Sequence, residues 1–171
     1  ASSQKNLLII GGGSATRDLI KIIKSSMQKN YNIVGIIDDD KDKLNYAISG
    51  VRIVGDRSKI KEVCRSFKVD VIFFSISSIS NKDKKEISGG ASHTTNNKME
   101  LTAVIQSLKY IKENLKANCK EKIKVHITTD SKYVCDSVNK GWVNSWKNNG
   151  WIKSDGKQAL NVDLWEQLLS L

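Results

Sequence analysis

Two short strings in this 171-residue chain carry the residue types that metal-assisted phosphodiester chemistry needs. The first is Thr94-Thr95-Asn96-Asn97-Lys98-Met99-Glu100-Leu101, and the second is Ile127-Thr128-Thr129-Asp130-Ser131-Lys132-Tyr133. Glu100 falls early in an expected helix and Asp130 at the end of an expected strand. Two carboxylates so placed can hold a divalent cation against a nucleic-acid phosphate. A third string suits different chemistry. Ile10-Gly11-Gly12-Gly13-Ser14-Ala15-Thr16 stands between an apolar run and a helical pattern, where a phosphate-cradling turn belongs. Gly11 and Gly13, with Ser14 beside them, let backbone approach a pyrophosphate at a helix N-terminus. Asp38, closing the next apolar run, can bond ribose hydroxyls. Thr16 fills the last place of G-x-G-x-x-G, where glycine would allow closer helix–strand packing.

Taken singly, each residue also has a plain structural reading. Glu100 suits the first turns of a helix, where the dipole favours a carboxylate. Asp130 suits a helix N-cap. Trp142 and Trp146 have the i, i+4 spacing of a packing stripe, and His93 and His126 read as ordinary polar residues. The glycine string alone is equally a tight strand-to-helix turn without ligand, and Asp39 and Asp40 read as solvated turn residues. Only the joint occurrence of the motifs overturns these readings.

The elements that must position these residues divide the chain in two. Residues 5–80 alternate strands and helices: Leu7–Ile10, Asn32–Ile37, Val51–Val54 and Val71–Ile76 are strand runs. Leu19, Ile22, Ile23 and Met27 mark one helix face, and Ile60, Val63, Cys64 and Phe67 another. The order β-α-β-β-α-β implies right-handed crossovers and a mostly parallel sheet. Residues 98–171 hold all four tryptophans. A helix is expected over 97–114, with Leu101, Val104, Ile105, Leu108, Ile111 and Leu115 apolar. A strand at Ile123–Thr129 follows, then helices at Ser131–Val138, in the Trp-rich segment and at Asp163–Leu171. The junction, Ser75–Gly90, reads equally as a helix from Asn81 or a strand at Lys85–Ser88.

Composition narrows the class without naming an activity. The content is 39% hydrophobic and 27% charged, that of a globular protein, and no apolar run approaches the ~20 residues of a membrane span. Cys64, Cys119 and Cys135 lack metal-type spacing and read as free thiols of a reducing cytoplasm. Nothing in the N-terminal residues reads as an export signal. The net charge of +10 suits a nucleic-acid partner. Its distribution does not: residues 1–85 carry 16 basic and 9 acidic residues, and residues 86–171 carry 12 and 9. The excess sits mostly in the half without nucleic-acid motifs.

The strings Leu-Ile-Ile-Gly-Gly-Gly-Ser-Ala, Val-Gly-Ile-Ile-Asp-Asp-Asp, Gly-Val-Arg-Ile-Val-Gly-Asp and Val-Asp-Val-Ile-Phe-Phe-Ser-Ile fall between Leu8 and Ile76. Over about residues 5–86 the chain resembles the Rossmann-like nucleotide-binding segment of polysaccharide-biosynthesis nucleotide-sugar epimerases and dehydratases, and related CoA-binding-type Rossmann domains. That resemblance implies a bound nucleotide or nucleotide-sugar, at Gly11, Gly13, Ser14 and Asp38. From Lys85 onward the chain resembles bacterial type 1 ribonuclease H. The resemblance rests on the two opening motifs, on Trp142-Val-Asn-Ser-Trp146-Lys-Asn-Asn-Gly-Trp151, and on Asn161-Val-Asp-Leu-Trp165. It implies Mg²⁺-dependent cleavage of RNA in RNA–DNA hybrids, with Glu100 and Asp130 as two of four catalytic, metal-binding acids. It implies that Thr95, Lys98 and Asn161 grip a DNA phosphate. Asn96, Asn97 and Lys132 fall where the family reads the minor groove and 2′-hydroxyls. Trp142 and Trp146 would flank the DNA path, while Trp151 and Trp165 are expected in the core.

The family's first strand, with its Thr-Asp-Gly, and its later His and last Asp have no match among these residues. Two further departures are Gln158-Ala159-Leu160, where the family prefers Pro and a basic residue, and Asn148-Asn149, where a basic handle is common. The expected architecture is therefore α/β: a mostly parallel hybrid sheet joining a Rossmann-like half, 1–84, to a partial ribonuclease H-like half, 85–171. Val71–Ile76 is expected to replace the missing first strand beside Ile123–Thr129. A recombined or engineered chimera, inactive for want of two acids, is the expectation; a nucleotide-binding module or a ligand-free scaffold is the alternative.

Overall fold

The structure is a computed structural model that describes residues 4–28, 30–76, 93–115 and 122–171. The junction expected over Ser75–Gly90 falls mostly outside the described residues, as does Cys119. Six strands form one sheet: β1 (Lys5–Ile10), β2 (Tyr31–Ile37), β3 (Ala47–Ile48), β4 (Val51–Gly55), β5 (Val71–Ile76) and β6 (Lys124–Thr129). Their order is β3-β4-β2-β1-β5-β6. β1 pairs in parallel with both β2 and β5, and β2 with β4; only the short β3 runs antiparallel, to β4. The chain winds outward from β1 first one way and then the other, the doubly wound order of a Rossmann-like α/β sheet.

Continuous burial explains the central strands. Leu7 to Ile10, Ile36, Ile37 and Val71 to Phe73 are all buried, the pattern of parallel strands covered on both faces. Helix α1 (Ser14–Ser26) covers the sheet with Thr16, Ile20 and Ile23. Spacing suggested a face through Ile22 and Met27, but Ile22 is 53% exposed and Met27 is exposed as well. The buried stripe is Thr16, Ile20 and Ile23; Ile22 lies off it, and Met27 follows the last helical residue as the C-cap. In α2 (Ile60–Ser66) the expected residues Ile60, Val63 and Cys64 are buried, while Phe67 caps the helix and stays exposed. The two-residue β3, closed by the turn at Ser49-Gly50, was not foreseen.

β6 takes the edge beside β5. The Lys124 amide donates to the Asp70 carbonyl at 3.1 Å, and the Thr128 hydroxyl to the Phe74 carbonyl at 3.2 Å. Both contacts advance in the same direction along the two strands, as a parallel pairing requires. His126 lies against the Phe73 ring, with centroids 4.9 Å apart. The expected pairing of these two segments is thus present.

Two compact units result: residues 1–77 with 113–128, and residues 78–112 with 129–171. The second contains most of helix α3 (His93–Leu115) and all of α4 (Lys132–Asn139), α5 (Trp142–Asn148) and α6 (Val162–Leu169). Leu101, Val104, Ile105 and Ile111 are its buried apolar residues on α3, with Val134, Val143, Leu164 and the fully buried Trp165 on the later helices. Helix α3 starts four residues earlier than expected. Glu100 therefore lies two turns inside it, beyond reach of the N-terminal dipole that its first-turn reading invoked.

Candidate functional site

The glycine turn is built by close packing. Gly11 has φ +104°, and a Cβ there would lie 2.5 Å from the Ser75 carbonyl oxygen of β5. A side chain at Gly12 would run into the Asp38 carboxylate. Only glycine lets this turn pass between the ends of β2 and β5. Gly13 is the N-cap of α1 and offers no side-chain bond, so the first amides of that helix have no side-chain cap. Thr16 does not merely loosen the packing, because it is fully buried and its hydroxyl donates to the Gly11 carbonyl. Ser14 is exposed at the start of the helix.

Asp38 ends β2 and leans over this turn. Its Oδ1 accepts the Asp40 amide at 2.9 Å and its Oδ2 the Lys43 ammonium at 3.2 Å. Asp40 lies 3.5 Å from the same ammonium. Burial pulls the Lys43 pKa down, but the hydrogen bonds and charges of Asp38 and Asp40 outweigh it and hold the ammonium above its ordinary value. Asp39, read as a solvated turn residue, is instead paired. Its carboxylate accepts the Arg57 amide at 3.0 Å and Nε at 2.6 Å, which pulls its pKa below 3.8 against a smaller cost of burial.

In the helical unit a turn of three residues carries Asp130. The Ser131 amide donates to Thr129 Oγ1 at 3.1 Å, and Ser131 Oγ accepts the Val134 amide at 3.2 Å. Ser131, not Asp130, is the N-cap of α4. Asp130 stands exposed at the apex. The Ser131 hydroxyl then donates to Glu100 Oε2 at 2.5 Å. One hydroxyl thus ties the α3 carboxylate to the turn that carries the other. Sequence reasoning missed Ser131; its place after an expected strand-ending acid was the available signal.

The remaining expected residues spread over the same unit. Asn96 and Asn97 are half-buried on α3, and Lys98 is exposed there; the Thr95 side chain lies outside what is described. Lys132 is exposed at the first position of α4. Trp142 is 43% exposed, with the Lys140 ammonium 5.0 Å from its ring centroid. Trp146 is half-buried and stands edge-on to Trp165 at 6.4 Å. Trp165 is core as expected, but Trp151 is only half-buried and donates its indole N–H to Glu166 at 3.2 Å. Asn161, left-handed at φ 56°, caps α6. Its amide lies 3.4 Å from the Tyr133 hydroxyl, which also accepts the Trp165 indole N–H at 3.1 Å.

Two carboxylates suit Mg²⁺, which keeps several waters and takes one or two protein carboxylates. Among the described residues no group of three or more His, Cys, Asp and Glu could hold a metal. No described helix is long and apolar enough to cross a membrane.

Comparison with known proteins divides the chain in the same way. A family model described as RNase H matches residues 74–171, and one described as a CoA-binding domain matches residues 1–93. Ribonuclease H of Desulforamulus reducens is 46% identical over 88 residues, covering 52% of this chain and 50% of that protein. Ribonuclease H of Syntrophus aciditrophicus is 47% identical over 88 residues, covering 52% and 46%. The chain spans about half the length of the curated relatives it matches. Among solved structures, UDP-D-quinovosamine 4-dehydrogenase from Vibrio fischeri superposes with a TM-score of 0.45 at 18% identity, over 95% of this chain and 98% of that one. The chain of RSP in complex with β-NAD⁺ and operator DNA gives 0.47 at 14% identity, over 85% and 58%. Over residues 74–171 the chain belongs to the RNase H family, and over residues 1–93 to the CoA-binding domain family.

Proposed function

We propose that the C-terminal half binds a divalent cation and an RNA–DNA hybrid, and that its hydrolytic site is incomplete within these residues. The carrying observation is the 2.5 Å bond from Ser131 to Glu100, which ties that acid to the turn bearing Asp130. Mg²⁺ bound there would neutralise phosphate charge and acidify a coordinated water. Glu100 and Asp130 would be its protein ligands. Lys98 and Lys132 offer exposed cations, and Asn96, Asn97, Thr95 and Asn161 offer hydrogen bonds to the backbone and minor groove of a hybrid. Trp142, with an exposed ring, and Trp146 would flank the DNA strand.

A two-metal mechanism needs more acids than these two. We read the whole as a recombined or engineered chimera, joined near residue 84 where the two family matches overlap, and working in the cytoplasm. The test is cleavage of a labelled RNA–DNA hybrid with Mg²⁺ and then Mn²⁺, beside Asp130→Asn. Hybrid binding that weakens with salt, without cleavage, is expected. Cleavage lost in the variant would overturn inactivity.

A second reading concerns the N-terminal half and rests on Gly11 and Gly12, whose packing brings backbone to the amides of α1 beside Asp38. We infer a nucleotide or nucleotide-sugar there, its phosphates at Gly11, Gly13 and Ser14 and its ribose at Asp38. A rise in Tm with a dinucleotide, a nucleotide-sugar or CoA supports it. No shift with any of them, and no hybrid binding, would leave a ligand-free scaffold.

A further inference from the structure

We propose that the Tyr133 hydroxyl donates to a backbone phosphate of the DNA strand, beside the Asn161 amide. The inference rests on the hybrid reading above and deepens it, since that reading gave Tyr133 no part. An indole N–H can only donate. The fully buried Trp165 indole gives its proton to the Tyr133 oxygen at 3.1 Å, so the phenol is the acceptor of that bond. The Asn161 amide nitrogen, 3.4 Å from the same oxygen, is a donor as well. Neither neighbour can take the phenol's own proton, and among the described residues nothing else does. Tyr133 is half-buried, so that proton is left for solvent or for a ligand.

Asn161 supplies the other donor. Asparagine at a helix N-cap ordinarily turns its carboxamide onto the first amides. Here the residue is left-handed at φ 56° and makes no such bond to α6; its carboxamide turns to Tyr133 instead. The amide nitrogen keeps a second N–H. The two donor atoms are 3.4 Å apart, so one phosphodiester group can meet both. A phosphate oxygen is a charged acceptor and gains most from such a pair. The Tyr133 ring lies 5.5 Å from that of Trp165, which lies 6.4 Å from that of Trp146. The donors thus adjoin the aromatic cluster that contains Trp146, a ring assigned above to the DNA strand.

The experiment is fluorescence anisotropy of a labelled RNA–DNA hybrid with the full chain and Mg²⁺, the DNA carrying one neutral methylphosphonate linkage at a time. Tyr133→Phe should weaken binding to the unmodified hybrid about tenfold, the scale of one hydrogen bond to a charged group. It should also shrink the methylphosphonate penalty at one linkage and leave the others as they were. A change spread evenly over all linkages overturns the proposal. In an Asn161→Ala background, Tyr133→Phe should weaken binding further. No further loss would make Tyr133 a support for Asn161 and overturn the direct contact. Tyr133→Phe leaves the buried Trp165 N–H without its acceptor, so a second variant keeps the oxygen in place. Tyr133→3-fluorotyrosine is a stronger donor and a weaker acceptor, and tighter hybrid binding is expected. Weaker or unchanged binding overturns the donor role. Hybrid binding that is absent, or that Lys98→Ala with Asn161→Ala leaves unchanged, sinks the hybrid reading and this inference with it. Binding that needs those two residues but ignores both Tyr133 changes sinks the inference alone.

Discussion

In the strand-built unit, Gly11, Gly12 and Asp38 are held by what lies against the backbone. In the helix-built unit, Glu100, Tyr133 and Asn161 are held by bonds between side chains. The first arrangement needs the whole sheet in register, since the Gly11 turn fits only between correctly placed ends of β2 and β5. The second needs a few hydroxyls and one indole N–H. A site of the first kind fails through steric conflict, and one of the second kind through an unpaired polar group. The two respond to different substitutions.

The largest expected effect tests whether the units are energetically distinct. Trp165→Ala removes a fully buried indole and the hydrogen bond to Tyr133. It should cost about 4 kcal/mol. Amide exchange should then show α4–α6 losing protection while Leu7–Ile10 keep theirs. Equal loss in both would mean one cooperative body, and the contrast would collapse. Next, Gly11→Ala forces a side chain into φ +104° and against the Ser75 carbonyl. We expect about 3 kcal/mol of destabilisation by urea titration, and a loss below about 1 kcal/mol would show that the turn can relax.

Smaller effects sharpen the polar side of the comparison. Ser137 is buried on α4, and its hydroxyl has no partner among the described residues. Ser137→Ala should therefore stabilise the chain by about 1 kcal/mol. A loss of stability would reveal a partner for that hydroxyl. The smallest effect belongs to Asp39, whose pKa is lowered through its hydrogen bonds from Arg57. A lowered pKa means stability present above the ordinary carboxylate value and lost as pH falls through the folded value. Asp39→Asn should thus cost about 0.5 kcal/mol at pH 7, as exposed pairs do. The difference from the parent should shrink below pH 3.8 and vanish at lower pH; a gap that persists in acid would assign the effect to packing.

Strands β1 and β5 were legible from the continuous apolar runs Leu7–Ile10 and Val71–Phe74, bounded by turn residues and too short for helices. Helix faces were less so. Ile22 fits the apolar spacing yet faces solvent, because the buried stripe of α1 runs through Thr16, whose hydroxyl is given to the Gly11 carbonyl, Ile20 and Ile23; Met27 lies past the helix end as its C-cap. The start of α3 was placed four residues late, which misjudged the setting of Glu100. Ser131 escaped notice as a link, since capping is a local property and its second bond joins residues 31 apart. Asp39 was misread for a similar reason: its partner Arg57 is 18 residues away.

What the sequence determined by itself was the alternation of elements, the boundary between two habits of chain, and the residue strings that mark two families. Local periodicity and short motifs carry that information within a few turns or strand lengths. Only the tertiary structure decided that Asp39 meets Arg57, that Gly11 must lack a side chain because Ser75 is there, and that Glu100 meets Ser131. Each of these depends on which distant segments share a surface, and such contacts leave no periodic trace in the chain that makes them.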